Sequence, residues 1–314
     1  VGSAVELVHR HDDPVGHHAG QGPRGALDQV EGRALLVGAE VGQHVVGDLP
    51  VHRTADAEAQ RTREQLGGDV VARRLMWAIL IAIGGLMIVR FAGNEREVRW
   101  AVKLLAGVGL GELGTGLEHA MTRSPDARLW QRVWWAAWRI VGYGAFPIAA
   151  ARLLLGMRLS ELGASARGLG KHFWIYVMLI ALVAPVVVTA SFGEGFQAKY
   201  PYYKLAKGEP LWPAFIAWEA LYAANFVALE LFFRGFMVQA LRPLVGYASI
   251  HLMMVPYAMI HFGKPLPEAL GSIFTGFLLG TLAMKHRSVW GGVLVHVSVA
   301  CSMDFLSVWQ RGLL

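Results

Sequence analysis

The chain has 314 residues, of which 54% are hydrophobic and 17% charged, with 11 Trp and a formal net charge of +6. An average soluble domain carries nearer a quarter of charged residues, so this composition argues against an ordinary soluble enzyme. A single cysteine, Cys301, excludes an internal disulfide framework and any multi-cysteine metal centre. The basic residues form no Lys/Arg-rich block, which argues against nucleic acid as a partner.

Residues 1–75 differ from the rest. They contain no Met, Phe, Tyr, Trp, Ile, Lys, Asn or Cys, and hold 8 Arg against 11 Asp and Glu. Such a segment has little with which to nucleate a core. Its residue usage matches translated GC-rich non-coding sequence, which places the expected start at Met76; a disordered arm is the alternative. The pair His17 and His18 is expected to be solvated rather than metal-bound.

From Met76 onward the sequence reads as an all-α, polytopic transmembrane bundle. A helix needs about 20 apolar residues to cross the hydrocarbon core. About eight spans are expected, over 76–89, 101–121, 134–155, 173–191, 211–239, 246–262, 269–284 and 289–308. The Gly-rich second is the weakest of them. Trp130, Trp134, Trp135 and Trp138, with Arg128, Arg132 and Arg139, suit an aromatic belt at headgroup level. Gly107/Gly111 and Gly276/Gly280 are small-residue pairs that let helices approach closely. The loop 192–210, with three tyrosines and three lysines, is expected at the interface. Lys and Arg occur in nearly every loop, so membrane orientation is not readable from charge.

Polar groups within the spans carry the functional signal, because intramembrane ionisable side chains are costly and need partners. Glu230 and Arg234 lie four apart and share a helix face. Glu219, His251, His261, His296 and Asp304 are the other candidates. If the chain turns near Leu244, Glu230 and His261 fall at similar depths, roughly 21 and 25 Å from the turn. His296 is shallower, about 10 Å into its helix, and reaches the others only if helices tilt. A carboxylate with two imidazoles in a dry pocket suits water activation and oxyanion stabilisation. The same three groups could instead ligate zinc.

Leu229-Glu230, followed by Arg234-Gly235, resembles motif 1 of the CAAX-protease and bacteriocin-processing family (CPBP, or Abi), Glu-Glu-x-x-x-Arg. Tyr257 and His261 resemble motif 2, Phe-x-x-x-His, and His296 resembles the start of the last motif, His-x-x-x-Asn/Asp. The Gly-rich stretch 274–280 is similar to the intervening helix. The resemblance covers about 211–310. It implies an intramembrane endopeptidase in the bacterial inner membrane, acting on a peptide or membrane-protein substrate. Glu230, His261, His296 and Arg234 would form the catalytic set, with no cofactor, or with zinc on Glu230, His261 and His296. Two family positions are substituted: Leu229 stands for the first Glu and Ala300 for the Asn/Asp. A non-catalytic membrane scaffold is therefore the alternative function.

Overall fold

A computed structural model describes residues 50–166 and 169–313. Within them the chain is helical, and no strand occurs. Helix α1 is Pro50–Leu66. Helix α2 is Gly68–Ala92 and finishes in a widened π-helical turn. Helices α3 (Val98–Gly107) and α4 (Gly111–Thr122) form a hairpin. Helix α5 is continuous over 127–154, with a π-helical turn at Val141–Ala145. There follow α6 (Leu169–Ser191), the short α7 (Glu194–Lys199), α8 (Ala214–Val245), α9 (Ala248–Met259), α10 (Leu266–His286) and α11 (Trp290–Gln310).

Among the described residues five helices, α2, α6, α8, α10 and α11, are long and apolar enough to cross a bilayer. Among these residues the expected count of about eight is not confirmed. The 101–121 stretch breaks at 108–110, where Gly109 has φ 82°, into two helices too short to span. Helix α5 is long, but Arg128, Arg132, Arg139 and Arg152 make it too polar. Helix α9 is apolar but only 12 residues long.

Helix α8 is the centre of the bundle. It packs against α5, α11 and, through its C-terminal part, α1. Two glycine contacts set crossings. A Cβ at Gly276 or Gly280 of α10 would press on Tyr257, Ile250 and Met253 of α9, so this small-residue pair does pack helices. Gly107 and Gly111 meet nothing within 4 Å and do not. A close backbone approach lies elsewhere: a Cβ at Gly85 of α2 would sit 2.6 Å from the Gly142 carbonyl oxygen, and one at Gly142 would sit 2.7 Å from that of Gly85.

The expected coreless segment lies outside the described residues for 1–49, including His17 and His18. Residues 50–75 depart from the expectation. Helix α1 buries His52, Ala55 and Ala59. His52 stacks on Tyr247 with ring centroids 3.4 Å apart. Asp56 accepts from the Tyr247 amide at 2.8 Å, and Glu58 pairs with both Arg242 and Arg287. Gly246, at φ 62°, makes the turn that lets Asp56 approach, and a Cβ there would overlap it. A helix can dock through alanines, one imidazole and ion pairs, so a lack of aromatics did not forbid it.

His52 gives this docking a pH dependence. Burial lowers its pKa below the ordinary 6.5, with His251 adding to the effect and Asp56 opposing it. A depressed folded-state value means that stability is present above about pH 6.5 and is lost as the pH falls through the folded-state value. Proteolysis of α1 should accelerate on acidification, and His52→Phe should remove that dependence. Cleavage equally slow at pH 7 and pH 5 would contradict it.

Candidate active site

Glu230 ends the regular first part of α8, and the π-helical turn Leu231–Met237 follows directly. Such turns recur at functional sites. Here the turn carries Arg234, whose Nη1 lies 3.0 Å from Glu230 Oε1; both side chains are fully buried. The same Oε1 lies 2.6 Å from His296 Nδ1 of α11. The shallow start of His296 is thus overcome. What permits it is Gly292, one turn earlier on α11, where a Cβ would overlap the Glu230 carboxylate.

The other ring nitrogen of His296, Nε2, is 3.0 Å from the Tyr257 hydroxyl. Phe226 stacks on the imidazole, with centroids 5.6 Å apart and planes at 11°. The Tyr257 ring receives the Arg234 guanidinium at 4.0 Å from its centroid. The cluster is therefore a closed circuit: Arg234 to Glu230, Glu230 to His296, His296 to Tyr257, and Tyr257 back to Arg234.

His261 stands beside this circuit rather than in it. Its Nδ1 is 2.8 Å from the Tyr257 carbonyl oxygen, and the two rings lie 4.9 Å apart. A carbonyl only accepts, so Nδ1 carries the proton and Nε2 presents a lone pair. No direct hydrogen bond joins His261 to Glu230 among the described residues. The expected convergence thus unites Glu230, Arg234 and His296, and reaches His261 only through Tyr257.

Zinc does not fit this arrangement. Among the described residues, no three His, Cys, Asp or Glu side chains are grouped to hold a metal ion. Glu230 spends its charge on Arg234 and His296, and His296 has both nitrogens engaged.

The remaining candidates serve elsewhere. Asp304 is fully buried, and its two oxygens accept from the Tyr202 amide at 3.0 Å. It holds the segment before α8 against α11, next to the buried Glu219. His251 packs against Tyr247 near α1. Leu229 is buried, and Ala300 belongs to an apolar cluster with Phe215 and Trp218, so neither family carboxylate or amide position is polar. Beyond His261, Lys264 donates to Tyr200 at 3.0 Å and to Glu268 at 2.6 Å. Burial pushes the Tyr200 phenol up to about 12, so it remains neutral between them at physiological pH.

Tyr257 and Gly292 are the parts the sequence reading missed as functional. The signal for the first was a tyrosine where the family motif has phenylalanine. Gly292→Ala should force the carboxylate aside and cost about 1–3 kcal/mol by overpacking. A thermal melt in detergent checks this, and an unchanged midpoint would mean that Glu230 does not sit against Gly292.

Five apolar spans and a buried acid–base cluster define an integral membrane protein with a polytopic helical bundle. Residues 210–301 match the Rce1-like family, described as Type II CAAX prenyl endopeptidase Rce1-like, so the resemblance to the CPBP family stands for that segment. The match is under a third of the chain and contains Glu230, Arg234, Tyr257, His261 and His296. No curated protein and no solved structure matches the chain.

Proposed function

We propose that the chain is an intramembrane endopeptidase of the CAAX-protease type, acting in a bacterial inner membrane on a peptide bond near the bilayer surface. The observation that carries this reading is the buried Glu230–His296–Tyr257 relay beside His261, inside the segment that matches the family. We assign the base to His261, whose Nε2 lone pair is free to take a proton from water as the water oxygen attacks the scissile carbonyl carbon. The carbonyl oxygen takes the place of the Tyr257 hydroxyl at His296 Nε2, which donates to the developing oxyanion. Glu230 accepts from Nδ1 and stabilises the positive imidazole, while Arg234 balances and fixes the carboxylate. His261 then returns its proton to the amine as the C–N bond breaks. Glu230 and His261 thus both serve water activation, the carboxylate acting through the electrostatics of the cluster.

The test is proteolysis by the purified full chain in detergent, against prenylated CAAX peptides and a broad peptide library, with and without a chelator. Cleavage that the chelator leaves unchanged is expected. No cleavage of any substrate would sink the enzyme reading. The second reading, a membrane scaffold that retains the fold, is favoured by the buried apolar side chains of Leu229 and Ala300 at the two family positions that are otherwise polar.

A further inference from the structure

We propose that the cleft between α2, α5 and α9 binds an anionic phospholipid, its phosphate held by Arg90 and Arg139. The cleft has a volume of about 600 Å³ and is walled by Leu86, Val89, Met259 and Ile260. Among the described residues its charged lining is the two arginines, and no acidic side chain lines it. Among the described residues neither guanidinium has a carboxylate within ion-pair distance. Arg139 instead lies over aromatic rings, its guanidinium carbon 4.4 Å from the Trp135 centroid and 5.0 Å from that of Tyr143. A guanidinium cannot shed its charge, and it matches phosphate oxygens with paired donors.

Depth identifies the ligand as a lipid. Arg90 lies two residues before the end of the α2 span. Trp134 donates to the Asn94 carbonyl at 3.3 Å, and Asn94 lines the cleft. Trp100, Trp134 and Trp138 cluster there with ring centroids 5.5–6.3 Å apart. Tryptophans gather at the headgroup level of a bilayer. The cations thus sit where phosphates are, and the apolar walls run from them toward the hydrocarbon. Acyl chains along Val89 and Met259 with a headgroup on the arginines satisfy both ends.

The test is native mass spectrometry of the full chain in detergent, titrated with phosphatidylglycerol, phosphatidylcholine or inorganic phosphate. Phosphatidylglycerol should bind on the order of tenfold more tightly than phosphatidylcholine, since two cations at headgroup level favour net negative charge. Inorganic phosphate should not bind measurably. The double substitution R90Q/R139Q should abolish the lipid preference, and Met259→Trp, which fills the cleft from its exposed side, should abolish binding of both lipids. Equal binding of the two lipids by the parent overturns the proposal. So does saturable binding of inorganic phosphate, or phosphatidylglycerol binding unchanged in Met259→Trp. Should R90Q/R139Q fail to fold, Met259→Trp decides alone.

Discussion

Arg234→Ala should destabilise the protein by about 3–5 kcal/mol, the cost of leaving a buried charge without its partner. The guanidinium is fully buried, paired with Glu230 at 3.0 Å and stacked on Tyr257 at 4.0 Å. Alanine removes both contacts and leaves the carboxylate with His296 alone. Arg234→Lys should fall between the two, because an ammonium keeps the charge but loses the planar stack and the forked donors. The double substitution Glu230→Gln with Arg234→Met should recover part of the loss, since a buried pair removed together is far less costly than one half of it. Thermal melts of the four proteins in one detergent measure this. An Arg234→Ala midpoint within a degree of the parent would show that the pair contributes nothing. A double variant less stable than Arg234→Ala would show that the partners do not act as a pair.

The sequence made that pair legible for a plain reason. Glu230 and Arg234 are four apart in an apolar helix, and intramembrane charges need partners. Ion-pair logic works locally, along one element. The contact of Glu230 with His296 is different, because it joins two helices 66 positions apart and depends on Gly292, whose value lies in the atoms it lacks. Depth arithmetic with straight helices put His296 too shallow. It left out the π-helical turn after Glu230 and the close approach of α8 and α11. The expected meeting of Glu230 with His261 had matched depths in its favour. Depth fixes one coordinate, and the Tyr257 ring fills the lateral gap. Span counting failed where charge interrupts hydropathy, in α5, and where glycine interrupts the helix, at 108–110. Helix α1 was missed because its docking uses Asp56 and Glu58 rather than apolar bulk.

The largest effects on activity should come from His261. It is half-buried, and among the described residues its side chain hydrogen-bonds the neighbouring Tyr257 carbonyl, so His261→Ala should leave the fold nearly intact. Removing a general base costs about 10²–10⁴ in rate, and cleavage should fall by that much while the melt hardly moves. Glu230→Gln should give a comparable loss. The amide still accepts from His296 but no longer stabilises a positive imidazole, and the melt should fall as well because Arg234 loses its counter-charge. Tyr257→Phe separates the cluster from the chemistry. It keeps the ring under Arg234 and removes only the hydroxyl that occupies His296 Nε2, so cleavage should be retained or rise. If His261→Ala cleaves as fast as the parent, the base lies elsewhere. If the parent is inert but Leu229→Glu with Ala300→Asn cleaves, the chain is a scaffold. That double substitution restores a carboxylate beside Glu230 and an amide one turn beyond His296. Activity gained in this way would mean that the buried circuit of Arg234, Glu230, His296 and Tyr257 has been kept for its contribution to folding.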